Sequence, residues 1–147
     1  MIRQMTTEDI GPVIGLCNLM YQESPNYKKL VFSPSRVKQI ALNAIKEGFA
    51  EVAVNNLGHI VGVMAGCLVQ PSFSQDFMAC DYILYVIRAF RGPASFRLVN
   101  DYIKWAKMRG ASLITVGVTS GGDNAKAIEF YEAIGFQQSG VQLRMEV

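Results

Sequence analysis

Asn124-Ala-Lys-Ala127-Ile-Glu-Phe130-Tyr131-Glu-Ala-Ile-Gly135-Phe136 is the stretch from which the rest of the chain can be read. Ala127, Tyr131 and Ile134 fall on one helical face with Ile128 beside them, while Lys126, Glu129 and Glu132 point elsewhere. Asp123 or Gly122 is placed to cap the start, and Gly135 suits the left-handed position that ends many helices. A short amphipathic helix therefore hands the chain to a strand that starts near Phe136.

Working back from it, Leu113 to Val118 reads as a strand and Pro93 to Arg109 as a helix. That helix is apolar on two sides, through Phe96, Val99 and Ile103 and through Leu98, Tyr102 and Trp105, so it should be covered over much of its circumference. Phe77 to Ile87 is the longest strand. Phe49 to Val54 and Ile60 to Val69 are joined by Asn55-Asn56-Leu57-Gly58, a strong hairpin signal. Ser33-Pro34-Ser35 opens a helix with the stripe Val37, Ile40, Ala41, Ala44 and Ile45, ended by Gly48. Thr6 to Asp9 opens an earlier one carrying Ile10, Val13, Ile14, Cys17 and Met20. Ile2 to Met5 and Val141 to Val147 are the first and last strands, and Tyr21 to Phe32 is a loop or a broken turn of helix. This order argues for one α+β domain over residues 1–147 with a mixed sheet. The strands at 77–87 and 113–118 flank a crossover helix and should be parallel.

Composition narrows the class. The chain has 147 residues, 50% of them hydrophobic, enough for one core. No apolar run is long enough to span a bilayer, and the first nine residues lack the apolar core of a signal peptide, which predicts a cytoplasmic protein without a membrane partner. The net charge is +2 and the basic residues are scattered, so no nucleic-acid partner is expected, while a homodimer stays open. Cys17, Cys67 and Cys80 are odd in number, widely spaced and without a Cys-x-x-Cys pair, and read as buried thiols in a reducing compartment. Nothing resembles a metal site. His59, the lone histidine, follows the hairpin turn and reads as exposed and structural.

The residue order Asn124, Ala127, Phe130-Tyr131, Gly135-Phe136 resembles the second cofactor-binding motif of the GNAT-type N-acetyltransferases. A second segment supports the resemblance. Val86-Ile-Arg88-Ala-Phe90-Arg91-Gly92-Pro93-Ala94-Ser95-Phe96 is similar to the family's pyrophosphate loop, where backbone N–H groups at a helix start hold an anionic diphosphate. Arg91 and Gly92 match; Ala94 and Phe96 stand where smaller residues are usual, with Phe96 free to turn into the core, and Pro93 removes one donor. The order of elements also resembles the GNAT fold along the whole chain. The resemblance implies a mostly antiparallel sheet of about six to seven strands flanked by four helices, with the fourth and fifth strands parallel and splayed to admit the pantetheine arm of acetyl-CoA.

It also implies roles. Acetyl-CoA would be held by Tyr85, Val86, Arg91, Gly92, Ala94, Ser95, Phe96, Asn124, Ala127 and Phe130, and Tyr131 would protonate the departing CoA thiolate. Without the motif, Tyr131 reads as a core tyrosine and Asn124 as a helix cap. Asp81 is the only acid in the middle of the fourth strand and is the candidate base, on the face opposite Cys80 and Tyr82, with Asp76, Glu23 and water as rivals. The acceptor pocket would draw on Glu23, Tyr27, Phe32 and Phe73, although Tyr21, Tyr27 and Phe32 also read as simple helix packing. The resemblance implies an N-acetyltransferase that transfers acetyl from acetyl-CoA to a primary amine of a small molecule or peptide by direct attack in a ternary complex, since no nucleophile is placed for a ping-pong step. The alternative from another class is a catalytically weak GNAT domain serving as an acyl-CoA-binding regulatory module.

Overall fold

A computed structural model describes residues 1–147. Five strands lie in the order β1 (Ile2–Gln4), β2 (Phe49–Val54), β3 (Ile60–Val69), β4 (Met78–Val86) and β5 (Leu113–Ile114). Every neighbouring pair is antiparallel except β4 and β5, which are parallel across the crossover helix. Helices α1 (Ile10–Glu23) and α2 (Pro34–Glu47) cover one face, and α3 (Pro93–Met108) and α4 (Asn124–Ile134) the other.

Local chemistry sets most of these boundaries. Thr6 N–H donates to Asp9 Oδ2 (2.8 Å), and Arg3 grips the same carboxylate through two bonds of 2.7 and 2.9 Å, so the chain enters α1 at a fixed angle. The Arg3 guanidinium holds the Asp9 carboxyl down at about 2. Ser33 Oγ caps α2 by accepting from Arg36 N–H, and Pro34 sits in its first turn. Asn55 Oδ1 accepts from Leu57 and His59 N–H and so closes the β2–β3 hairpin. His59 is exposed there, as expected.

The two faces bury separate cores. Leu98, Val99, Tyr102 and Ala106 of α3 pack with Phe49, Met64, Ala79, Val86 and Tyr131. Val13, Leu16 and Cys17 of α1 pack with Ala41, Val52, Val63 and Tyr85. Each fully buried aliphatic side chain contributes roughly 1.5–3 kcal/mol. A bulge sits between the pairs Ala65↔Ile83 and Gly66↔Asp81, leaving Tyr82 as the extra residue on β4. Asp81 consequently lies on the α3 side with Ala79, while Ile83 and Tyr85 face α1 and α2.

Several expectations need correction. The sheet has five strands, not six to seven. The strand expected at 113–118 pairs only at Met78↔Leu113 and Ala79↔Ile114, because beyond Thr115 a side chain of β4 takes the next amide. The segment expected as a last strand, Val141 to Val147, is exposed and unpaired, held to the α1–α2 connection by Arg144 donating to the Asn26 carbonyl and by Lys29 near Glu146. Helix α3 buries one face only, and Phe96 is 51% exposed, so it does not turn into the core. Residues Tyr21 to Glu23 continue α1 before a short 3-10 turn at Pro25–Tyr27. Of the cysteines only Cys17 is buried; Cys67 and Cys80 are half-buried.

Glu51 of β2 carries a strain that pH exposes. Its Oε2 is buried without a partner, and burial, then the charge of Asp101 on α3, push its carboxyl up to about 7. A carboxyl raised on folding loses stability for the native state as pH climbs from the unfolded value of about 4.3 through the folded one. Glu51→Gln should therefore match the parent in thermal midpoint near pH 4 and gain an increasing advantage up to pH 8. A melting difference that is constant across that range would show that the Glu51 charge is not the cause.

Candidate active site

The carboxyl-terminal half of β4 and the residues after β5 move apart at one place. Thr115 N–H still donates to the Ala79 carbonyl (2.8 Å), but Gly117 N–H donates to Asp81 Oδ1 (2.9 Å). A side chain thus stands where a main-chain carbonyl would continue the ladder, and the strands part behind it. Tyr102 O–H fixes the near edge by donating to the Thr115 carbonyl (3.0 Å). On β4, Ile87 N–H bonds to the Val61 carbonyl, so the alternate residue Val86 turns its main chain away from β3 and into the gap. Arg91 Nε takes the Val86 carbonyl there at 2.7 Å.

Asp81 is partly buried, and burial raises its carboxyl, opposed by the Gly117 amide. Tyr131 comes to the same side from α4. It is 7% exposed, with Phe130 and Phe136 edge-on at 5.2 and 5.6 Å. Burial pushes its phenol up, and the Asp81 charge adds to the effect, which places the two groups within electrostatic reach of one another. Helix α4 is set by Asp123, whose carboxylate accepts from Lys126 N–H (3.1 Å), and by Gly135, whose amide and that of Phe136 both reach the Tyr131 carbonyl. The cap is Asp123, which leaves the Asn124 side chain outside that role; Ala127 and Phe130 lie partly buried along the same helix.

The turn into α3 has the features of an anion site. Gly92 has φ 98°, a conformation favouring glycine, and Phe96 N–H bonds back to its carbonyl at 2.9 Å. No side chain caps the helix, so the Ala94 and Ser95 amides point out of its first turn. Beside it, on the side of β1 and the β2–β3 hairpin and not of the β4–β5 gap, lies a cleft of about 410 Å³ between Met1, Ile2, Val54 and Val61 and the turn residues Arg91, Pro93, Ala94 and Arg97. Arg97, one turn into α3, was not singled out from the sequence; its only signal there is a cation near the helix start. A second hollow of about 410 Å³, lined by Phe49, Glu51, Asp101 and Trp105 among others, lies away from this turn.

The connection between α1 and α2 covers the gap from the other side. Tyr27 Oη lies 2.6 Å from Thr119 Oγ1, Asn26 Nδ2 donates to the Thr119 carbonyl (2.8 Å), and Asn26 N–H to that of Ser120 (3.2 Å). Gly121 has φ 78°, and a Cβ there would meet the Asn26 side chain at 2.5 Å, so this contact is built for glycine. Glu23 links both halves of the site. It accepts from Tyr85 O–H at 2.9 Å and from Arg91 Nη2 at 3.4 Å, and the Arg91 guanidinium stacks 5.6 Å over the Tyr85 ring. Phe32 packs on Tyr21, and Phe73, 92% exposed in the β3–β4 turn, is not gathered with Glu23 and Tyr27. Asp76 lies exposed in that same turn, its N–H bonded to Ser74 Oγ.

The fold thus combines a parted parallel pair, a helix start with free amides and a buried tyrosine near the fork. Residues 17–136 match the model of the Acetyltransferase (GNAT) family, and the chain belongs to that family, whose acyl donor is acetyl-CoA. It is 29% identical over 144 residues to an uncharacterized N-acetyltransferase of Methanocaldococcus jannaschii, covering 95% of this chain and 62% of that protein. The chain thus spans less than two thirds of that relative. Among solved structures it is similar to a transcriptional regulator from Bacillus halodurans (TM-score 0.77, 23% identity, 100% and 99% of the two chains covered). It is also similar to an aminoglycoside N-acetyltransferase in complex with CoA (TM-score 0.74, 13% identity, 100% and 93% covered). These two likenesses show the fold. No helix is long and apolar enough to cross a membrane.

Replacing Ala94 by Ile at the α3 start should weaken acetyl-CoA binding, because a branched side chain crowds the free amides of residues 94 and 95. Calorimetry should register at least about a tenfold loss, or 1.4 kcal/mol. Unchanged affinity would remove this turn from the cofactor site.

Proposed function

We propose that the chain is an acetyl-CoA-dependent N-acetyltransferase acting on a primary amine, borne by a small molecule or a peptide, by direct attack in a ternary complex. The observation that carries this reading is the fork at which Asp81 holds Gly117 off β4 with Tyr131 buried alongside. The pantetheine arm would enter the gap, where Val86 N–H faces it, and the diphosphate would rest on the Ala94 and Ser95 amides with Arg91 and Arg97 supplying charge. The amine lone pair attacks the thioester carbonyl, and the C–S bond breaks as the tetrahedral intermediate collapses. The Tyr131 phenol gives its proton to the leaving sulfur. Its raised pKa keeps it protonated, and the same dry surroundings raise the thiolate's basicity with it.

Of the carboxylates considered, Asp81 is best placed to receive the amine proton. It is partly buried beside Tyr131 with a raised pKa, whereas Glu23 is committed to Tyr85 and Arg91, and Asp76 lies in the exposed β3–β4 turn. Glu23 and Tyr27 would border the acceptor. One observation favours the regulatory-module reading: Arg91 is already tied to the Val86 carbonyl and to Glu23, not free for a phosphate. Thiol release from acetyl-CoA across a panel of amines separates the two, since a module would bind without turnover.

With a substrate in hand, Tyr131→Phe should cut kcat by about 10²–10⁴-fold and leave the acetyl-CoA Kd nearly unchanged, because the ring and its packing remain. A core tyrosine with no chemical role would leave turnover within about twofold. The rate of the parent should rise with pH through a limb above the ordinary carboxylate range, since the Asp81 pKa is raised and only its ionised form accepts a proton. Asp81→Asn, which keeps an oxygen for Gly117, should abolish that limb. A parent profile that follows only the amine's own pKa would remove Asp81 from the role.

A further inference from the structure

Cys67 and Cys80 are 13 positions apart in sequence but directly opposed in space. The β3–β4 register pairs Cys67↔Cys80, so both side chains stand on the same face of the sheet. Residues opposed in an antiparallel pair have Cα atoms about 4.5–5.5 Å apart, inside the roughly 4.4–6.8 Å that a disulfide spans. The bulge at Tyr82, just past the pair, interrupts the ladder and increases the local twist. Both cysteines are free and only half-buried.

Both sulfurs have polar neighbours. Cys80 Sγ lies 3.5 Å from Thr115 Oγ1, whose own proton goes to the Ala79 carbonyl at 2.9 Å. The Tyr82 hydroxyl, on a side chain 41% exposed, is pushed up to about 12, first by its interaction with the Cys67 sulfur, while the Arg36 guanidinium near it acts in the opposite direction. Cys17 is the contrast: buried in the α1 core, its thiol is pushed up to about 11 by that burial alone.

We infer that Cys67 and Cys80 form a reversible dithiol–disulfide site that small hydroperoxides oxidise. One thiolate attacks the hydroperoxide, the O–O bond breaks, an alcohol or water leaves, and a sulfenic acid remains. The second thiol attacks that sulfur, the S–S bond forms, and the hydroxyl departs with the thiol proton as water. Two thiols and one hydroperoxide thus give one disulfide, one alcohol and one water, the pair losing the two electrons that the peroxide gains. A dithiol reverses the change. The inference does not depend on the acetyltransferase reading, and its test reads sulfur chemistry alone.

The test treats the full chain with hydrogen peroxide, then denatures and alkylates it with a maleimide for intact-mass analysis and unreduced peptide mapping. Of the three cysteines, Cys17 alone should remain alkylatable, the unalkylated protein should be lighter by two hydrogens, and one peptide pair should join Cys67 to Cys80. Dithiothreitol should restore all the thiols, and Cys17→Ser should form the same link. Cys80→Ser should gain oxygen at Cys67 and form no internal link. Oxygen addition to the parent without a link, a link through Cys17, or a link only between two copies of the chain would overturn the assignment.

Discussion

A hydrogen bond between Gly117 N–H and the Asp81 carboxylate decides whether β4 and β5 stay together. Parallel strands with both faces covered ordinarily run on until the chain turns, since every unpaired amide left in a dry layer costs free energy. Here the amide is satisfied, but by a side chain that projects from β4, and that spacing is wider than main chain to main chain. The wedge is possible because the bulge at Tyr82 turns Asp81 toward α3 and α4 instead of leaving it on the face of Ile83 and Tyr85. Tyr102 holds Thr115 on the near side of the fork, so the parting begins at a defined residue.

The same fork connects groups that are remote in sequence. From α4, Tyr131 reaches the buried side of the gap; from the turn into α3, Arg91 reaches its upper end and takes the Val86 carbonyl. From the α1–α2 connection, Asn26 and Tyr27 fasten onto Thr119 and Ser120, and Glu23 spans Tyr85 and Arg91. A cofactor phosphate that draws Arg91 away would leave Glu23 with Tyr85 alone and nearer to being a free carboxylate for an incoming amine. On the proposed reading, the two ligand sites would then share one side chain. The exposed Arg91–Glu23 contact is weak enough, at roughly 0–1 kcal/mol for pairs of this kind, to be exchanged without cost to the fold.

What the sequence made legible was local. The stripe and caps of Asn124 to Gly135 and of Pro34 to Gly48 carry their own boundaries, and Asn55 to Gly58 carries its hairpin, because these signals lie within a few residues of what they shape. The family resemblance, resting on the segments around Tyr131 and Arg91, also agreed with the matched family. The rest depended on contacts across the chain. Leu113 to Val118 looked like a full strand because nothing in it records that Asp81 will interrupt its pairing. Val141 to Val147 alternates as a strand should, yet alternation states which face is apolar and not which edge will receive it. Phe96 was free to turn inward until the single buried face of α3 was known, and the opposition of Cys67 and Cys80 is a matter of register alone.

The central claim is that acetyl-CoA is bound in the parting of β4 and β5 and on the start of α3. Hydrogen–deuterium exchange of the full chain with and without acetyl-CoA tests it most directly, because exchange reports each segment's opening separately. The account predicts slowed exchange in two places, the end of β4 with residues 115–118 and the α3 turn at residues 92–96, and little change around Phe49, Glu51 and Trp105. Protection confined to that second hollow, or saturating acetyl-CoA that leaves both segments exchanging as before, would contradict it.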